Sequence, residues 1–179
     1  MFFVSDIKTS APATFGSSLQ QEVYTTLGNL SIPFWRVDTD EAITMEDCTA
    51  INERLDMEMV KTLLLCNRQQ TQHYLFVTRG DKPFHSKEFS LALNIARVSF
   101  APVDHLQQLL GTPIGAATVL SVIRDAGHRV QVVFDAEVAA MPWYGCSDGT
   151  TTSYLKLRTQ DVLHRYLTFA GHEARIVEV

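Results

Sequence analysis

Apolar positions along the chain follow two periods, and segments of one period alternate with segments of the other. Apolar residues spaced three and four apart predict five helices, in residues 18–28, 44–55, 85–94, 102–111 and 159–170. Runs rich in Val, Leu, Ile and Phe predict eight strands, in residues 32–38, 59–67, 73–78, 97–100, 116–124, 128–135, 154–158 and 174–179. This interleaving predicts an α/β fold of α+β character, in which helices cover a mixed, largely antiparallel sheet.

Turn chemistry predicts how the strands connect. The polar turn "NRQQTQ" predicts a hairpin between residues 59–67 and 73–78, although the first run is also compatible with a helix. A second hairpin is predicted around "DAG", with Gly127 in the positive-φ conformation. The segment "MPWYGCSDGTTTS", residues 141–153, is polar and punctuated by glycine, which predicts a loop.

Length and composition indicate one globular domain. The 179 residues are 46% hydrophobic, enough for one core, and we assign residues 18–179 to the domain and residues 1–17 to an N-terminal lead-in. No apolar run approaches the roughly 18 residues of a membrane helix, and the N-terminus lacks the pattern of a secretion signal. We therefore expect a cytoplasmic protein that does not bind membranes.

Charge and cysteine spacing exclude further classes of protein. The net charge of −5 argues against a broad DNA-binding surface, whereas a local contact with one phosphate is compatible with it. The three cysteines, Cys48, Cys66 and Cys146, are widely spaced and form no metal-ligand pattern. We expect no disulfide framework, no metal and no cofactor. The short motifs of serine hydrolases, P-loop proteins, dinucleotide-binding proteins and zinc proteases are also absent.

Lys61 is the first candidate for chemistry, because it interrupts the apolar run "MVKTLLLCN". In a strand it shares a face with Leu63 and Leu65, where an unpaired ammonium is unfavourable. Two interpretations are open from the residues alone. Either the stem of Lys61 covers apolar surface while its ammonium reaches water, or the ammonium lines a pocket that binds an anion.

A glycine turn and a glycine-bearing loop are the other candidates. In "GTPIGAATV", Gly111 is explained as a helix end, whereas Gly115 lies just before a predicted strand, where glycine often permits close approach of a ligand. In "YGCSDGTTTS", the hydroxyl groups are candidates for a polar pocket, and an ordinary surface loop is the equal alternative. Cys146 in this loop has no neighbour in sequence that would activate its thiol.

Four segments, in order, resemble one known family. They are "LDMEMVKTLLLCN", "YLFVTRGDKPFHSKEFSLAL", "VSFAPVDHLQQLLGTPIGAATVLSVIRDAGHRVQVVFDAEV" and "TQDVLHRYLTFAGHEARIVEV". Together they resemble the YbaK/ProX family of aminoacyl-tRNA editing domains, which includes the editing domain inserted in bacterial prolyl-tRNA synthetases. The resemblance spans residues 18–179 and implies the mixed α/β fold of the YbaK type.

The resemblance implies a free-standing deacylase that hydrolyses the ester of a mischarged small amino acid on a tRNA, commonly a tRNA for proline. It implies catalytic roles for Lys61, which matches the lysine of the family's K-T-L strand, and for Gly115, the first position of its G-x-x-x-P loop. Val119 stands where that loop has proline, and Met141-Pro142 stands where many members have a His-Pro pair. These departures leave the identity of the removed amino acid open.

A mechanism compatible with these residues needs no side-chain nucleophile, because an ester is already activated. We expect Lys61 to bind the anionic or ribose end of the terminal adenosine, and backbone N–H groups around Gly115 and Ala116 to face the ester carbonyl oxygen. Substrate-binding residues are expected to be Ala116, Thr118, Tyr144, Thr151 and Ser153. The expected partners are the acceptor end of an aminoacyl-tRNA and, second, an aminoacyl-tRNA synthetase.

Two rival functions stay open at this point. Val119 and Met141 are also compatible with a non-catalytic protein that binds an aminoacyl nucleotide or regulates a synthetase. The other rival is a thiol-dependent hydrolase that uses Cys146, which activity surviving the substitution Cys146→Ser would exclude.

Overall fold

The computed structural model describes residues 1–179 and contains helices and strands in alternation. The α-helices are α1 (Ser18–Asn29), α2 (Met45–Leu55), α3 (Ser86–Leu93), α4 (Val103–Leu110), α5 (Ala136–Ala140), α6 (Thr159–Asp161) and α7 (Leu167–Phe169). A π-helical turn, Val162–Tyr166, joins α6 to α7, so the predicted last helix is one continuous segment. None of the helices has the length and apolar character that a membrane span requires.

Eight strands form two sheets. They are β1 (Trp35–Asp38), β2 (Val60–Cys66), β3 (His73–Arg79), β4 (Ser99–Phe100), β5 (Val130–Asp135), β6 (Trp143–Ser147), β7 (Ser153–Arg158) and β8 (Arg175–Val177). The strand orders are β1-β7-β6 and β4-β2-β3-β5-β8. Within the sheets, only β3 with β5 and β5 with β8 pair in parallel, so the predicted mixed, largely antiparallel character is confirmed.

The two sheets flank the main hydrophobic core and meet where Met59 forms a parallel bridge with Gly145. Alternation along the strands sends Leu64 of β2 and Tyr144 of β6 into this core, which α1 also covers. The opposite face of β2 carries Leu65 and packs on α3 through a second apolar cluster. Side chains of β2 therefore alternate between two separate cores.

Local sequence explains several element boundaries. At the start of α2, Asp47 N–H donates to the Thr44 hydroxyl at 3.1 Å, and Thr44 N–H donates to the Asp47 carboxylate at 2.8 Å. This capping box satisfies backbone donors that the helix itself leaves free. At the end of α4, Gly111 adopts a φ of +72°. The hairpin of β2 and β3 is confirmed along its whole length.

Several predictions for the second half of the chain are wrong. Val119–Arg124 form a 3-10 helix instead of a strand, and β5 pairs in parallel with β3, so the second predicted hairpin does not exist. In the "DAG" turn, His128 rather than Gly127 has a positive φ, of 50°. Residues 141–153 contain β6 in addition to a loop. A short apolar run buried on all sides has the same pattern in a strand and in a helix, which explains the first error.

The N-terminal lead-in lies along β1. Val4 and Lys8 form isolated antiparallel bridges with Thr39 and Arg36. Arg36 is almost fully buried, and its Nε donates to the carbonyl of Ser10 at 2.5 Å. The lead-in therefore covers the edge of the three-stranded sheet that β1 would otherwise expose.

Candidate active site

Lys61 lies half-buried near the start of β2, opposite Thr78 of β3. It shares the face of β2 that carries Leu63 and Leu65, as the strand alternation predicts. Its ammonium donates a hydrogen bond to the backbone carbonyl of Lys82, in the loop after β3. None of the ion pairs of the chain includes Lys61, although both Lys8 and Lys82 form them. The positive charge of Lys61 therefore has no carboxylate partner.

The buried carboxylate of Asp135 binds two neighbours of Lys61, namely Thr78, which is paired with Lys61, and Lys82, whose carbonyl Lys61 contacts. Asp135, at the end of β5, has no exposed surface and accepts hydrogen bonds from Thr78 Oγ1 and Lys82 Nζ, both at 2.8 Å. Desolvation opposes the charge of Lys82, but hydrogen bonds to Asp135 and Glu137 outweigh it and raise the pKa of Lys82. Asp135 thus neutralises Lys82, and the Lys61 ammonium stays available for an anion.

The turn at Gly115 presents unused backbone donors. Gly115 has a φ of +84°, a left-handed conformation that glycine adopts without strain. The N–H of Ala116 is occupied, because it donates to the carbonyl of Pro113 at 3.2 Å. The N–H groups of Gly115, Ala117 and Thr118 make no hydrogen bond within the protein. The donors available at this turn are therefore the neighbours of Ala116 rather than Ala116 itself.

The loop between β6 and β7 lies beside this turn. The Cγ2 methyl of Thr151 is 3.8 Å from the point that a Cβ on Gly115 would occupy. Three residues after Gly115, Thr118 is fully buried and its hydroxyl accepts the N–H of Leu120 at 3.3 Å. The structure therefore brings Gly115 and Thr151 together, and it places Thr118 beneath the turn as the cap of the 3-10 helix.

Tyr144 and Ser153 are buried inside the fold. Tyr144 stacks on Phe134 with ring centroids 5.9 Å apart. Its hydroxyl is buried beside Thr62, and burial, with Cys146 adding to the shift and Thr62 opposing it, raises the pKa of Tyr144 well above its usual range. The hydroxyl of Ser153 donates to the carbonyl of Val37 at 3.3 Å. Neither side chain is therefore accessible at the protein surface.

Strand β6 lies between Lys61 and the Gly115 turn. Met59, two residues before Lys61, pairs with Gly145 of β6. The side chain of Thr118 lies against Cys146 of the same strand. No hydrogen bond or ion pair joins Lys61 to residues 111–119. The ammonium of Lys61 and the Gly115 turn therefore make no direct polar contact with each other.

A buried carboxylate that sequence reasoning missed fixes the β6–β7 loop. Asp148 has no exposed surface, and its Oδ2 accepts hydrogen bonds from Gln20 Nε2 at 2.8 Å and Tyr24 OH at 2.7 Å. Its Oδ1 accepts the N–H of Thr150 at 3.1 Å and the hydroxyl of Thr150 at 2.7 Å. Burial and the Asp148 charge raise the pKa of Tyr24, so its hydroxyl stays a donor. Asp148 thus ties α1 to the loop that contacts Gly115.

The surroundings of Met141, which stands where many members of the resembling family have a histidine, contain no histidine. Met141 and Pro142 line an open groove next to Trp143. The other lining residues are Asn52, Glu53, Asp56, Met57 and Glu58. No histidine lines this groove, and no group of three or more His, Cys, Asp or Glu side chains is arranged to hold a metal ion.

We expect the substitution Cys146→Ser to leave the initial rate of ester hydrolysis unchanged. Cys146 is buried, and this burial raises the pKa of its thiol to about 12, with Asp148 adding to the shift and Thr118 opposing it. At neutral pH the thiol is therefore protonated and a poor nucleophile. A folded Cys146→Ser protein without activity would instead support the alternative of a thiol-dependent hydrolase.

Comparison with known proteins identifies the family. Residues 39–164 match the family described as the aminoacyl-tRNA editing domain. The prolyl-tRNA editing protein ProX of Acetoanaerobium sticklandii is 26% identical over 164 residues, which cover 89% of this chain and 97% of that protein.

Solved structures share the fold. A hypothetical protein of 16% identity superposes with a TM-score of 0.67, covering 88% of this chain and 98% of its own. A candidate trans-editing enzyme for prolyl-tRNA synthetase, 14% identical, superposes with a TM-score of 0.62, covering 91% and 98%. Because the family match spans most of the chain, this protein belongs to the aminoacyl-tRNA editing domain family and is an aminoacyl-tRNA deacylase, a hydrolase of the ester bond between an amino acid and its tRNA.

Proposed function

We propose that this deacylase acts in trans on tRNA for proline that carries a small, wrongly attached amino acid. The proline tRNA is supported by the similarity to the prolyl-tRNA editing protein ProX. The proposed preference for small amino acids such as alanine, serine and threonine follows from an enclosed pocket, which excludes larger side chains sterically. Thr151, which lies beside the Gly115 turn, is the proposed wall of that pocket.

The observation that carries the proposal is the uncompensated charge of Lys61. A half-buried ammonium that donates only to a neutral carbonyl forms a stronger hydrogen bond when an anion replaces that carbonyl, because hydrogen bonds between charged groups are stronger than those to neutral ones. The flexible stem of Lys61 allows this exchange. In the proposed complex Lys61 releases the carbonyl of Lys82 and binds the anionic or ribose end of the terminal adenosine.

The hydrolysis itself needs a positioned water and a site for the developing negative charge. The water oxygen bonds to the ester carbonyl carbon, the bond to the ribose oxygen breaks, and that oxygen leaves as a hydroxyl with the proton from water. The N–H groups of Gly115 and Ala117, which make no hydrogen bond within the protein, are the donors proposed to stabilise the carbonyl oxygen as it becomes negative. The free hydroxyl of the terminal ribose is proposed to activate the water, since no side-chain base is assigned.

The proposed complex lies across β6, which separates Lys61 from the Gly115 turn. Gly115 and Thr151 form the surface of the amino-acid site. Thr118, Tyr144 and Ser153 support it from below, since all three are buried. Ala116 contributes through its turn hydrogen bond to Pro113 rather than as a donor to substrate.

The substrate also bears on partners and location. An enzyme that acts after a synthetase has charged the tRNA works where charging occurs, and we propose the cytoplasm. A synthetase is the second proposed partner, because the net charge of −5 leaves little basic surface for holding the body of a tRNA.

The test is a panel of purified mischarged tRNAs. We expect the purified chain to release alanine, serine or threonine from tRNA for proline faster than buffer does, and to leave proline on the same tRNA. Correctly charged alanyl-tRNA for alanine serves as the matched control for the tRNA. Equal rates with and without protein across the panel would contradict the proposal, and binding without turnover would favour the non-catalytic alternative.

A further inference from the structure

Both tryptophans of the chain lie together on the outer face of the three-stranded sheet. Trp35 of β1 and Trp143 of β6 meet edge to face, with ring centroids 5.3 Å apart and an interplanar angle of 90°. The ammonium of Lys156, on the strand between them, lies 4.5 Å from the Trp143 ring centroid. All three side chains are only half-buried. We call Trp35, Trp143, Lys156 and the neighbouring Arg158 the tryptophan surface.

Strand register explains why these side chains share one face. Lys156 is paired with Trp35 on one side and Gly145 on the other, and Arg158 is paired with Trp143. The alternate residues of β6 and β7, such as Tyr144 and Leu157, point into the main core. Helix α2 covers the same outer face at Val37 and Tyr154 but leaves the tryptophan end half-exposed.

The charges on this surface complement a polyanion. Neither Lys156 nor Arg158 takes part in any ion pair or side-chain hydrogen bond of the chain, while eight other Lys and Arg residues do form ion pairs. The groove beside Trp143 carries Glu53, Asp56 and Glu58, which repel phosphate and so limit the surface on that side. Solvent-accessible aromatic rings next to cations without carboxylate partners are the combination that binds single-stranded nucleic acid, by base stacking and phosphate contact. Trp35 and Trp143 offer such rings, although each is half-buried.

The surface lies near Lys61 along the bridged chain. Gly145 is adjacent to Lys156 and bridges to Met59, which lies just before β2 and two residues before Lys61. The side chain of Met57 lies over Gly145, so nucleotides that reach Lys61 from Trp143 pass over Met57. Two residue steps along β6 and two along the chain from Met59 to Lys61 correspond to about 13 Å at about 3.3 Å per residue. A few unpaired nucleotides can bridge such a span.

We propose that the tryptophan surface binds the single-stranded 3′ end of the tRNA, with the bases before the terminal adenosine stacked on Trp143 and Trp35 and their phosphates near Lys156 and Arg158. This inference rests on the proposed function in one respect, since it takes the terminal adenosine to lie at Lys61. It gives the acidic chain a local site for RNA that needs no broad basic surface.

Intrinsic fluorescence tests the surface directly, because every tryptophan of the protein belongs to it. The RNA tetranucleotide 5′-ACCA-3′ is expected to quench the emission saturably, with an affinity that falls as salt rises. Lys156→Gln should weaken this binding without disturbing the fold. Phe169→Ala, which removes an exposed aromatic ring elsewhere, is the matched control and should bind as the wild type does.

Deacylation kinetics provide the second readout. Trp143→Ala is expected to raise KM for mischarged tRNA by about 5- to 100-fold with little change in kcat, because stacking on one aromatic ring is worth that range. Two results together would overturn the inference and leave the deacylase assignment intact. They are tryptophan emission that does not change when ACCA is added, and a wild-type KM in both Trp143→Ala and Lys156→Gln. Quenching by ACCA in a protein that hydrolyses no mischarged tRNA would instead support the surface and refute the proposed function.

Discussion

Replacing Asp148 by alanine is expected to lower the free energy of unfolding by about 3–5 kcal/mol, because it removes a buried carboxylate together with its hydrogen-bond network. The carboxylate is fully buried and accepts four hydrogen bonds, from Gln20, Tyr24 and the backbone and hydroxyl of Thr150. Alanine leaves these donors buried without partners, and it opens a cavity between α1 and the β6–β7 loop.

Urea unfolding followed by circular dichroism measures this effect. Asp104→Ala is the control, because Asp104 is exposed on α4 and accepts only the Gln108 side chain, so its loss should cost less than about 0.5 kcal/mol. Asp148→Asn should lie between the two, since an amide keeps one acceptor oxygen. An Asp148→Ala protein that unfolds at the wild-type urea concentration would show that the network contributes nothing.

The same substitution should also slow catalysis before the protein unfolds. Asp148 holds Thr150, and the next residue, Thr151, contacts the Gly115 turn. Loss of the network therefore frees one wall of the proposed amino-acid site. Asp148 is a positioning residue in this account, and its variants should raise KM for the mischarged tRNA under conditions where the fold remains intact.

Sequence patterns predicted those parts of the fold that local interactions determine. The β2–β3 hairpin, the helix that begins after Thr44 and the helix end at Gly111 all depend on residues close together in the chain. The parallel pairing of β5 with β3 joins residues that are far apart in the chain, so no turn sequence between them predicts it. The strand β6 was missed because its composition, with Gly145, is typical of a loop. That glycine is required by packing, since a Cβ there would lie 2.9 Å from the Glu58 carbonyl.

The residues of the candidate site also differ in whether local sequence or long-range contacts determine their positions. Lys61 could be predicted as a site residue because a charged side chain is unusual in an apolar strand. Gly115 could be predicted because the helix end is already explained by Gly111, so a second glycine needs another reason. The role of Asp148 could not be predicted from the sequence, because its hydrogen-bond partners Gln20 and Tyr24 are 128 and 124 residues away in the chain. The side of the strand on which Lys61 lies was predicted from alternation, whereas its distance from the Gly115 turn depends on how two sheets meet.

Replacing Lys61 by alanine is expected to lower kcat/KM for a mischarged proline tRNA by at least about 100-fold, the effect typical of removing one well-aimed donor from a catalytic site. Its fold should survive, because the ammonium makes a single hydrogen bond, to the Lys82 carbonyl, worth about 1 kcal/mol. Lys61→Arg keeps the charge but changes its shape and should retain part of the activity.

Lys87→Ala is the matched control for charge. Lys87 is exposed on α3 and takes part in no ion pair or side-chain hydrogen bond, so its removal changes the net charge equally without touching the proposed site. Wild-type kinetics in this variant would show that the effect of Lys61 is local rather than a consequence of overall charge.

The most direct measurement is the single-turnover release of alanine from alanyl-tRNA for proline by the wild-type protein and by Lys61→Ala, at matched folded concentrations. Rapid release by the wild type, with Lys61→Ala reduced close to the rate in buffer, is the result that a substrate-binding ammonium requires. Equal release by the two folded proteins would contradict it, because the uncompensated charge at the start of β2 would then take no part in the reaction.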